Sequence, residues 1–256
     1  MIFTFLQANN NIVITMVEYL VEDFVTEEVA IDDELVLSTS RSPPSSIILL
    51  RTVSVSYHCD AICHYKGKTY VGLFNHEIDR IDPNYNLTPS FLTLNSLVFS
   101  ICVHQDRVYS LLFGKPYIVN VHDLHSGELL TSWNHCDDSY SYNKLAIVNN
   151  KVIIPDRLNK MLSVYELTGE PLREVSCPTL GSGYISLCKA DSDSVIVSDS
   201  VTSRLFRIDL TTGKEIWSCT KLKVIPHAVT CDEYQYVYVT GHKSGKVWIL
   251  DIRTGW

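Results

Sequence analysis

One short phrase recurs along this chain and ends each time in a glycine. Its copies read VHDLHSG, VYELTG, RIDLTTG and LDIRTG. The glycines fall 42, 44 and 42 residues apart, at Gly127, Gly169, Gly213 and Gly255. A fixed period of this size, built from strand-like runs and a glycine turn, indicates repeated sheets that are stacked or arranged around an axis. The period therefore constrains the fold before any catalytic motif is considered.

Each period divides into four strand-like runs separated by turns. In the copy that begins at Tyr184, the runs are YISLC, SVIVSD, LFRIDL and KEIWSC. They are rich in β-branched and aromatic residues, as strands are. The Thr-Thr-Gly between the third and fourth runs is typical of a tight hairpin, because glycine adopts positive φ readily. Second runs of other copies are KTYVGL, RVYSLL, KVIIPD and QYVYVT. Each period thus predicts one four-stranded antiparallel sheet.

The two ends of the chain suggest how these sheets close. With an eroded copy over residues 33–50, the sequence contains six copies of the hairpin between second and third runs. The last copy lacks a fourth strand, whereas residues 11–16 (NIVITM) form a spare strand-like run. We therefore predict a six-bladed β-propeller closed by residues 11–16 pairing beside residues 246–252, because closure removes free sheet edges. The alternative is that the chain is a fragment of a longer propeller. The sequence limits the number of blades only to between five and seven.

The predicted organisation is an N-terminal tail over residues 1–10 and a single propeller domain over residues 11–256. Its repeats span 17–58, 59–96, 97–140, 141–184, 185–228 and 229–256. Residues 1–40 carry eight acidic side chains and no Lys or Arg, and the remaining 21 acidic side chains balance 21 basic ones. Charge therefore does not identify a partner class. No apolar run has the length that crosses a bilayer.

Cysteines recur at one repeat position rather than in a disulfide framework. The position is held by Cys63, Cys102, Cys188 and Cys231, and by Ala146 in the remaining copy. A small apolar residue suits a crowded inner strand, and a free cysteine packs as one. We predict buried, reduced thiols and hence a cytoplasmic protein.

Several segments resemble the repeats of known propeller families. Residues 237–255 (VYVTGHKSGKVWILDIRTG) resemble a WD-repeat hairpin, and so do residues 122–135, with His135 near the histidine that opens a WD blade. Residues 209–217 (DLTTGKEIW) resemble a quinoprotein-like repeat, and residues 226–251 resemble the NHL pattern. The resemblance covers residues 33–256 and implies a β-propeller. In the NHL group it further implies the propeller of a tripartite-motif-like protein, which recognises RNA or protein.

The sequence predicts no catalytic, cofactor or metal site. In HCDAICH (residues 58–64) the alternation of a strand points the two histidines away from the two cysteines, so four ligands cannot converge on one metal. The chain has no G-x-S-x-G elbow, H-E-x-x-H helix or glycine-rich phosphate loop. We expect a protein without enzymatic activity, a quinoprotein-like or lactonase-like enzyme being the minor alternative.

The loops are the predicted binding surface. In a propeller, the loops from second to third strands and the links between blades emerge on one face. Basic, imidazole and aromatic side chains recur in these segments: His76, Lys115, Arg157, Lys160, Arg204, His242, Lys243, Trp133, Tyr140, Tyr184 and His227. We predict a monomeric scaffold that docks a protein or peptide partner on this face. The alternative is NHL-like binding of single-stranded RNA through stacking and phosphate contacts.

Overall fold

The structure is a computed structural model. It describes residues 2–8, 11–18, 48–54, 59–84, 86–135, 144–220, 225–231, 236–241 and 247–251. The regular structure of these residues is β throughout. The described residues include no helix of the length and apolarity that a membrane span requires.

The first three strands form an N-terminal sheet in the order β1-β2-β3. They are β1 (Ile2–Ala8), β2 (Asn11–Glu18) and β3 (Ile48–Ser54). Strand β2 pairs with β1 along one edge and with β3 along the other. The prediction that residues 11–16 pair beside residues 246–252 is therefore wrong, because both edges of that strand are occupied. A hairpin with β1, two residues away in the chain, costs far less loop-closure entropy than pairing with the opposite end.

Four antiparallel sheets follow, each with its strands in simple up-and-down order, and we call them blades 1 to 4. Blade 1 contains β4 (Cys59–Tyr65), β5 (Lys68–Leu73), β6 (Glu77–Ile81) and β7 (Leu87–Thr93). Blade 2 contains β8 (Val98–His104), β9 (Arg107–Leu112), β10 (Tyr117–Asp123) and β11 (Leu129–His135). Blade 3 contains β12 (Ala146–Val148), β13 (Lys151–Asp156), β14 (Met161–Glu166) and β15 (Pro171–Ser176).

Blade 4 contains β16 (Ile185–Lys189), β17 (Ser194–Asp199), β18 (Arg204–Asp209) and β19 (Glu215–Cys219). A fifth sheet of three strands follows, with β20 (Pro226–Cys231), β21 (Tyr236–Gly241) and β22 (Val247–Asp251). The predicted four-stranded antiparallel repeat is confirmed. The predicted count of six is not: the described residues contain four complete blades and two three-stranded sheets. Most of the eroded copy at residues 33–50 lies outside the described residues.

The three recurring glycines that the structure describes occupy turns between third and fourth strands. Gly127, Gly169 and Gly213 have φ of 73°, 92° and 72°, in the left-handed region that glycine adopts without a Cβ penalty. Asp123 and Asp209 begin two of these turns. Each uses one carboxylate oxygen to accept hydrogen bonds from two turn amides, at 2.7–2.9 Å. These bonds also lower the pKa of both carboxyl groups.

The hydrophobic core lies between neighbouring sheets rather than within any one of them. The first strands β4, β8, β12, β16 and β20 are neighbours in that order. One buried cluster fills each space between consecutive sheets from blade 1 to the fifth sheet. In β13, Ile153 faces blade 4 while Val152 and Ile154 face blade 2. A second strand therefore has two buried faces, which is why these strands read as continuous apolar runs.

Candidate docking face

One end of the blades carries the segments that the sequence predicts for binding. We define the loop face as the turns at residues 74–76, 113–116, 157–160 and 200–203 and the described parts of the links between sheets, at residues 94–97, 144–145, 177–184 and 225. Backbone hydrogen bonds tie the links at residues 94–97 and 177–184 to turns of this face. Leu94 N donates to His76 O at 2.7 Å, Cys177 N to Lys160 O at 2.8 Å and Ser200 N to Tyr184 O at 3.1 Å.

The predicted site residues divide into three groups. His76, Lys115, Arg157, Lys160 and Tyr184 lie on the loop face, and Arg204 and His227 lie in strands directly beside it. Trp133 lies elsewhere. Tyr140, His242 and Lys243 lie outside the described residues, so their placement stays a prediction.

Trp133 is not in a link between blades, contrary to the prediction. It lies in β11, which continues to His135, and its ring is half-buried 5.9 Å from the ring of Tyr165 in blade 3. A Cβ added at Gly169 would sit 2.4 Å from a carbon of this ring. Trp133 therefore fills the space between blades 2 and 3. It belongs to a strand rather than to a link because β11 extends two residues beyond it.

Arg157 is engaged by the protein itself. Its guanidinium donates to the backbone oxygens of Ser182 and, at 3.3 Å, Gly183. These contacts hold the link at residues 177–184 against the turn that follows β13. The prediction placed Arg157 on this face as a ligand-binding cation, and the structure gives its guanidinium a positioning role there.

Arg204 is also used internally. It forms an ion pair with Glu215 at 2.8 Å, and its guanidinium lies 5.3 Å from the ring centre of Phe206. Only 18% of the Arg204 side chain is exposed. Its charge is therefore largely compensated within blade 4.

His76 and Lys160 are exposed and occupy equivalent turn positions. Each directly precedes a third strand and has a left-handed backbone, with φ of 73° and 53°. Ser203 holds the same position in blade 4, with φ of 51°. The turn geometry thus repeats from blade to blade while the side chain that it presents changes.

Tyr184 and His227 form an aromatic contact between blade 4 and the fifth sheet. Their ring centres are 5.4 Å apart. Tyr184 N donates to Ser200 Oγ at 2.8 Å, and the Tyr184 residue remains 37% exposed. Among the predicted aromatic site residues that the structure describes, Tyr184 and His227 are a pair in contact.

A set of exposed apolar side chains on the loop face was missed by the sequence reasoning. We define the apolar patch by four residues with exposed fractions of 57%, 37%, 61% and 49%: Leu158, Tyr184, Val201 and Ile225. A Cβ added at Gly183 would sit 2.5 Å from Val201 Cγ2, so Val201 rests against the link that carries Tyr184. The signal was present in the turn sequences PDRLNK and SDSVTSR, where an aliphatic residue stands among polar ones.

A buried carboxylate fixes the backbone beneath this patch. Asp199 is fully buried at the end of β17. Its Oδ2 accepts from Gly181 N at 2.6 Å, and its Oδ1 accepts from Val201 N at 3.0 Å. Asp156 ends β13 in the same way and accepts from Asn159 N at 3.1 Å. The turns that bear Val201 and Leu158 are therefore anchored by side chains that each belong to a rigid second strand.

The described segments contain neither a cluster of metal ligands nor a disulfide bond. No group of three or more His, Cys, Asp or Glu in these segments has the arrangement of a metal site. The seven cysteines that the structure describes are free thiols.

No protein-family model and no curated protein sequence matches this chain. Among solved structures, it is similar to the crystal structure of the WD40 β-propeller domain of Doa1. The TM-score is 0.53 at 14% sequence identity, and the match covers 75% of this chain and 68% of that one. A likeness at this identity concerns the fold alone. The chain therefore has a WD40-like β-propeller fold, and its resemblance to NHL and quinoprotein-like repeats stays a prediction.

Proposed function

We propose that this protein is a non-enzymatic scaffold whose apolar patch docks a peptide segment of a protein partner. The observation that carries the proposal is that Leu158, Tyr184, Val201 and Ile225 are all exposed on the loop face of consecutive sheets. Val201 lies against the link that carries Tyr184, and Arg157, next to Leu158, donates to the same link. Exposed apolar side chains that cluster are typical of interaction sites, whereas single ones are common on any surface. The occupant is a segment that inserts aliphatic or aromatic side chains among these four.

The anchoring beneath the patch supports this function. Binding costs less free energy when the receiving surface is already ordered. The carboxylate of Asp199 and the guanidinium of Arg157 hold the link and the turns in one arrangement before any partner arrives. WD40-like propellers commonly serve as protein-interaction scaffolds, which agrees with a site built on rigid sheets.

The use of the two arginines favours a peptide over RNA. Binding of single-stranded RNA requires cations that reach phosphates. Arg157 and Arg204 direct their guanidinium groups to backbone oxygens and to Glu215. The patch instead offers mainly apolar contacts, with the Tyr184 and His227 rings at its edge.

The test uses peptides selected from a random library on the full chain. Their affinity is then measured by fluorescence anisotropy for the full chain and for Val201→Glu and Leu158→Glu. A charged residue at the centre of an apolar contact is expected to weaken binding about 30-fold, the size of a typical hot-spot loss. The matched control is Leu172→Glu, which changes a residue of the outer strand β15 that is 44% exposed and is expected to leave affinity unchanged.

Two outcomes would contradict the proposal. One is a set of selected peptides that bind both patch variants as tightly as the unchanged chain. The other is binding of a mixed-sequence single-stranded RNA that falls steeply with salt, is lost in Lys160→Glu and is retained in Val201→Glu. The second result would support the RNA alternative.

A further inference from the structure

The two ends of the blades differ in charge. The described part of the loop face contains no Asp or Glu and four basic side chains: Lys115, Lys144, Arg157 and Lys160. We define the far end as the turns between first and second strands and those between third and fourth strands. Its described part contains Lys66, Lys214 and six acidic side chains: Asp82, Asp106, Glu128, Glu170, Asp191 and Asp193. A chain with a formal net charge of −8 therefore presents a basic docking face.

The sequence of the connecting segments outside the described residues does not reverse this difference. Segments 136–143, 221–224 and 242–246 together contain two Asp and four Lys. Segment 232–235, between a first and a second strand, contains one Asp and one Glu and no basic residue.

Lys160 connects this charge to the apolar patch. It follows Leu158 by two residues in the same turn, and both side chains are exposed. Lys160 N donates to Arg157 O at 3.3 Å, and Lys160 O accepts from Cys177 N at 2.8 Å. The backbone that carries the ammonium group is therefore tied to its own turn and to the link that carries Tyr184.

The carboxylates beside this turn are already engaged. Asp156 is buried and accepts two hydrogen bonds from Asn159, at 3.1 and 2.8 Å. Glu215 forms its ion pair with Arg204. In the part of the chain that the structure describes, no carboxylate forms an ion pair with Lys160. Its positive charge is therefore open to a partner.

We propose that the partner segment carries a carboxylate next to its apolar anchor and that Lys160 receives this carboxylate, a specificity that rests on the docking function proposed above. The basic face attracts an acidic segment before contact. The carboxylate then pairs with Lys160 while the anchor contacts Leu158 and Val201. Basic segments are disfavoured by repulsion between like charges.

An acidic protein segment fits this surface better than a phosphate backbone does. Single-stranded RNA needs cations along a track and aromatic rings on which successive bases stack. Lys160 stands beside the aliphatic Leu158, and the Arg157 guanidinium is directed to the backbone oxygens of Ser182 and Gly183. An open cation beside an aliphatic contact suits a carboxylate with an apolar neighbour.

The first test compares peptides selected from a random library on the full chain with peptides selected on Lys160→Gln. The full chain is expected to select apolar anchors with Asp or Glu nearby and few Lys or Arg. Lys160→Gln is expected to select the same anchors with a weaker preference for acid, because the receiving charge is gone. The proposal is overturned if the first set shows no acidic preference or if the preference is equal in both sets.

The second test measures the affinity of one acidic peptide selected on the full chain, by fluorescence anisotropy. Lys160→Gln is expected to weaken binding about 3-fold and Lys160→Glu about 10-fold, because an exposed ion pair contributes modestly and repulsion adds to its loss. The matched control is Lys214→Glu, the same change of charge at an exposed residue of the far end, which should leave affinity unchanged. Both losses should shrink as salt rises from about 50 mM to about 500 mM.

A charge exchange distinguishes a direct pair with Lys160 from attraction by the whole face. Replacing the acidic residue of the peptide by Lys is expected to weaken binding to the unchanged chain and to restore binding to Lys160→Glu. The proposal is overturned if the exchange restores nothing or if Lys214→Glu weakens binding as much as Lys160→Glu does. It is also overturned if mixed-sequence single-stranded RNA displaces the peptide and itself no longer binds Lys160→Glu.

Val201→Glu is measured in parallel to separate this proposal from the docking function. Full affinity in Val201→Glu would contradict the docking function itself. Lost affinity in Val201→Glu together with full affinity in Lys160→Glu would contradict only the role of the carboxylate.

Discussion

At the scale of single residues, each of the three recurring glycines that the structure describes lies close to a side chain of the preceding blade. A Cβ at Gly127 would lie 3.5 Å from Leu92 Cδ1, which is an ordinary contact. A Cβ at Gly169 would lie 2.4 Å from the Trp133 ring, which is a severe overlap. The glycines are therefore alike in backbone conformation and unequal in the space around them.

We predict that Gly169→Ala destabilises the protein more than Gly127→Ala does. The left-handed backbone alone costs about 1–2 kcal/mol for a residue with a Cβ, and this cost applies to both. Overpacking against Trp133 adds about 1–3 kcal/mol at Gly169. Urea unfolding of the two variants measures the difference in the free energy of unfolding. Adding Trp133→Leu to Gly169→Ala should recover much of the difference, and equal losses at the two glycines would contradict the steric argument.

At the scale of the strand, small polar side chains connect the first strands of neighbouring blades. A first strand has one edge without a partner in its own sheet, and its amides need acceptors. Ser100 Oγ accepts from Leu145 N at 3.0 Å, and Ser186 Oγ accepts from Val229 N at 3.4 Å. Cys63 Sγ accepts from Val103 N in the same manner. The sequence analysis interpreted the recurring cysteine only as a small residue in a crowded strand. It did not predict that Cys63 accepts a hydrogen bond from the next blade.

We predict that Ser100→Ala lowers the free energy of unfolding by about 1–3 kcal/mol, because the buried Leu145 amide loses its acceptor. Ser186→Ala is expected to cost less, since its hydrogen bond is longer. Hydrogen exchange at the Leu145 amide should accelerate in Ser100→Ala, and Ser100→Cys should retain part of the protection. Unchanged exchange at Leu145 would show that this contact does not hold blade 3 to blade 2.

The fourth strands show what a repeat pattern alone leaves out. In three successive blades the pairing of third and fourth strands skips one residue, which forms a β-bulge at Leu130, Leu172 or Ile216. These side chains are 44–50% exposed. A bulge interrupts the alternation of buried and exposed positions along a strand. The exposure of these three side chains could therefore be recognised only once the pairing of the strands was known.

At the scale of the whole molecule, a buried histidine joins blades 2 and 3. His135 ends β11 and is 1% exposed. Its Nδ1 accepts from the Tyr165 hydroxyl at 2.9 Å, and its Nε2–H donates to Pro155 O at 3.3 Å. This assignment requires the neutral ring. Burial is the main cause that lowers the pKa of His135, although Pro155 O and Asp156 oppose it.

The lowered pKa predicts a loss of stability in mild acid. Because the unfolded chain binds a proton at His135 before the folded chain does, the free energy of unfolding falls as pH drops from about 6.5 through the folded pKa. His135→Gln should make this fall shallower, with part remaining because burial also lowers the pKa of His64 and His122. Thermal unfolding across pH measures it. The exposed His125→Gln serves as the control, and an equal effect of both variants would contradict the assignment.

Local features of the sequence determined the strands and turns. Four of the five runs predicted as second strands coincide with β5, β9, β13 and β17 residue for residue, whereas β21 ends one residue beyond the fifth run. Gly127, Gly169 and Gly213 stand at turns with positive φ. These outcomes follow from side-chain alternation and backbone freedom, which depend on a few neighbours in the chain. The same local pattern placed His76, Lys115, Arg157 and Lys160 on one face.

Only the tertiary structure decided which segments that are distant in the sequence contact one another. It paired β2 with β1 and β3, directed Arg157 to Ser182 and Gly183, and seated Trp133 against Gly169. It also placed the four residues of the apolar patch on one face and set the Cys63 sulfur against the Val103 amide. These contacts join residues from different sheets, so they depend on the packing distances and edge pairing of whole blades, which no short stretch of sequence encodes.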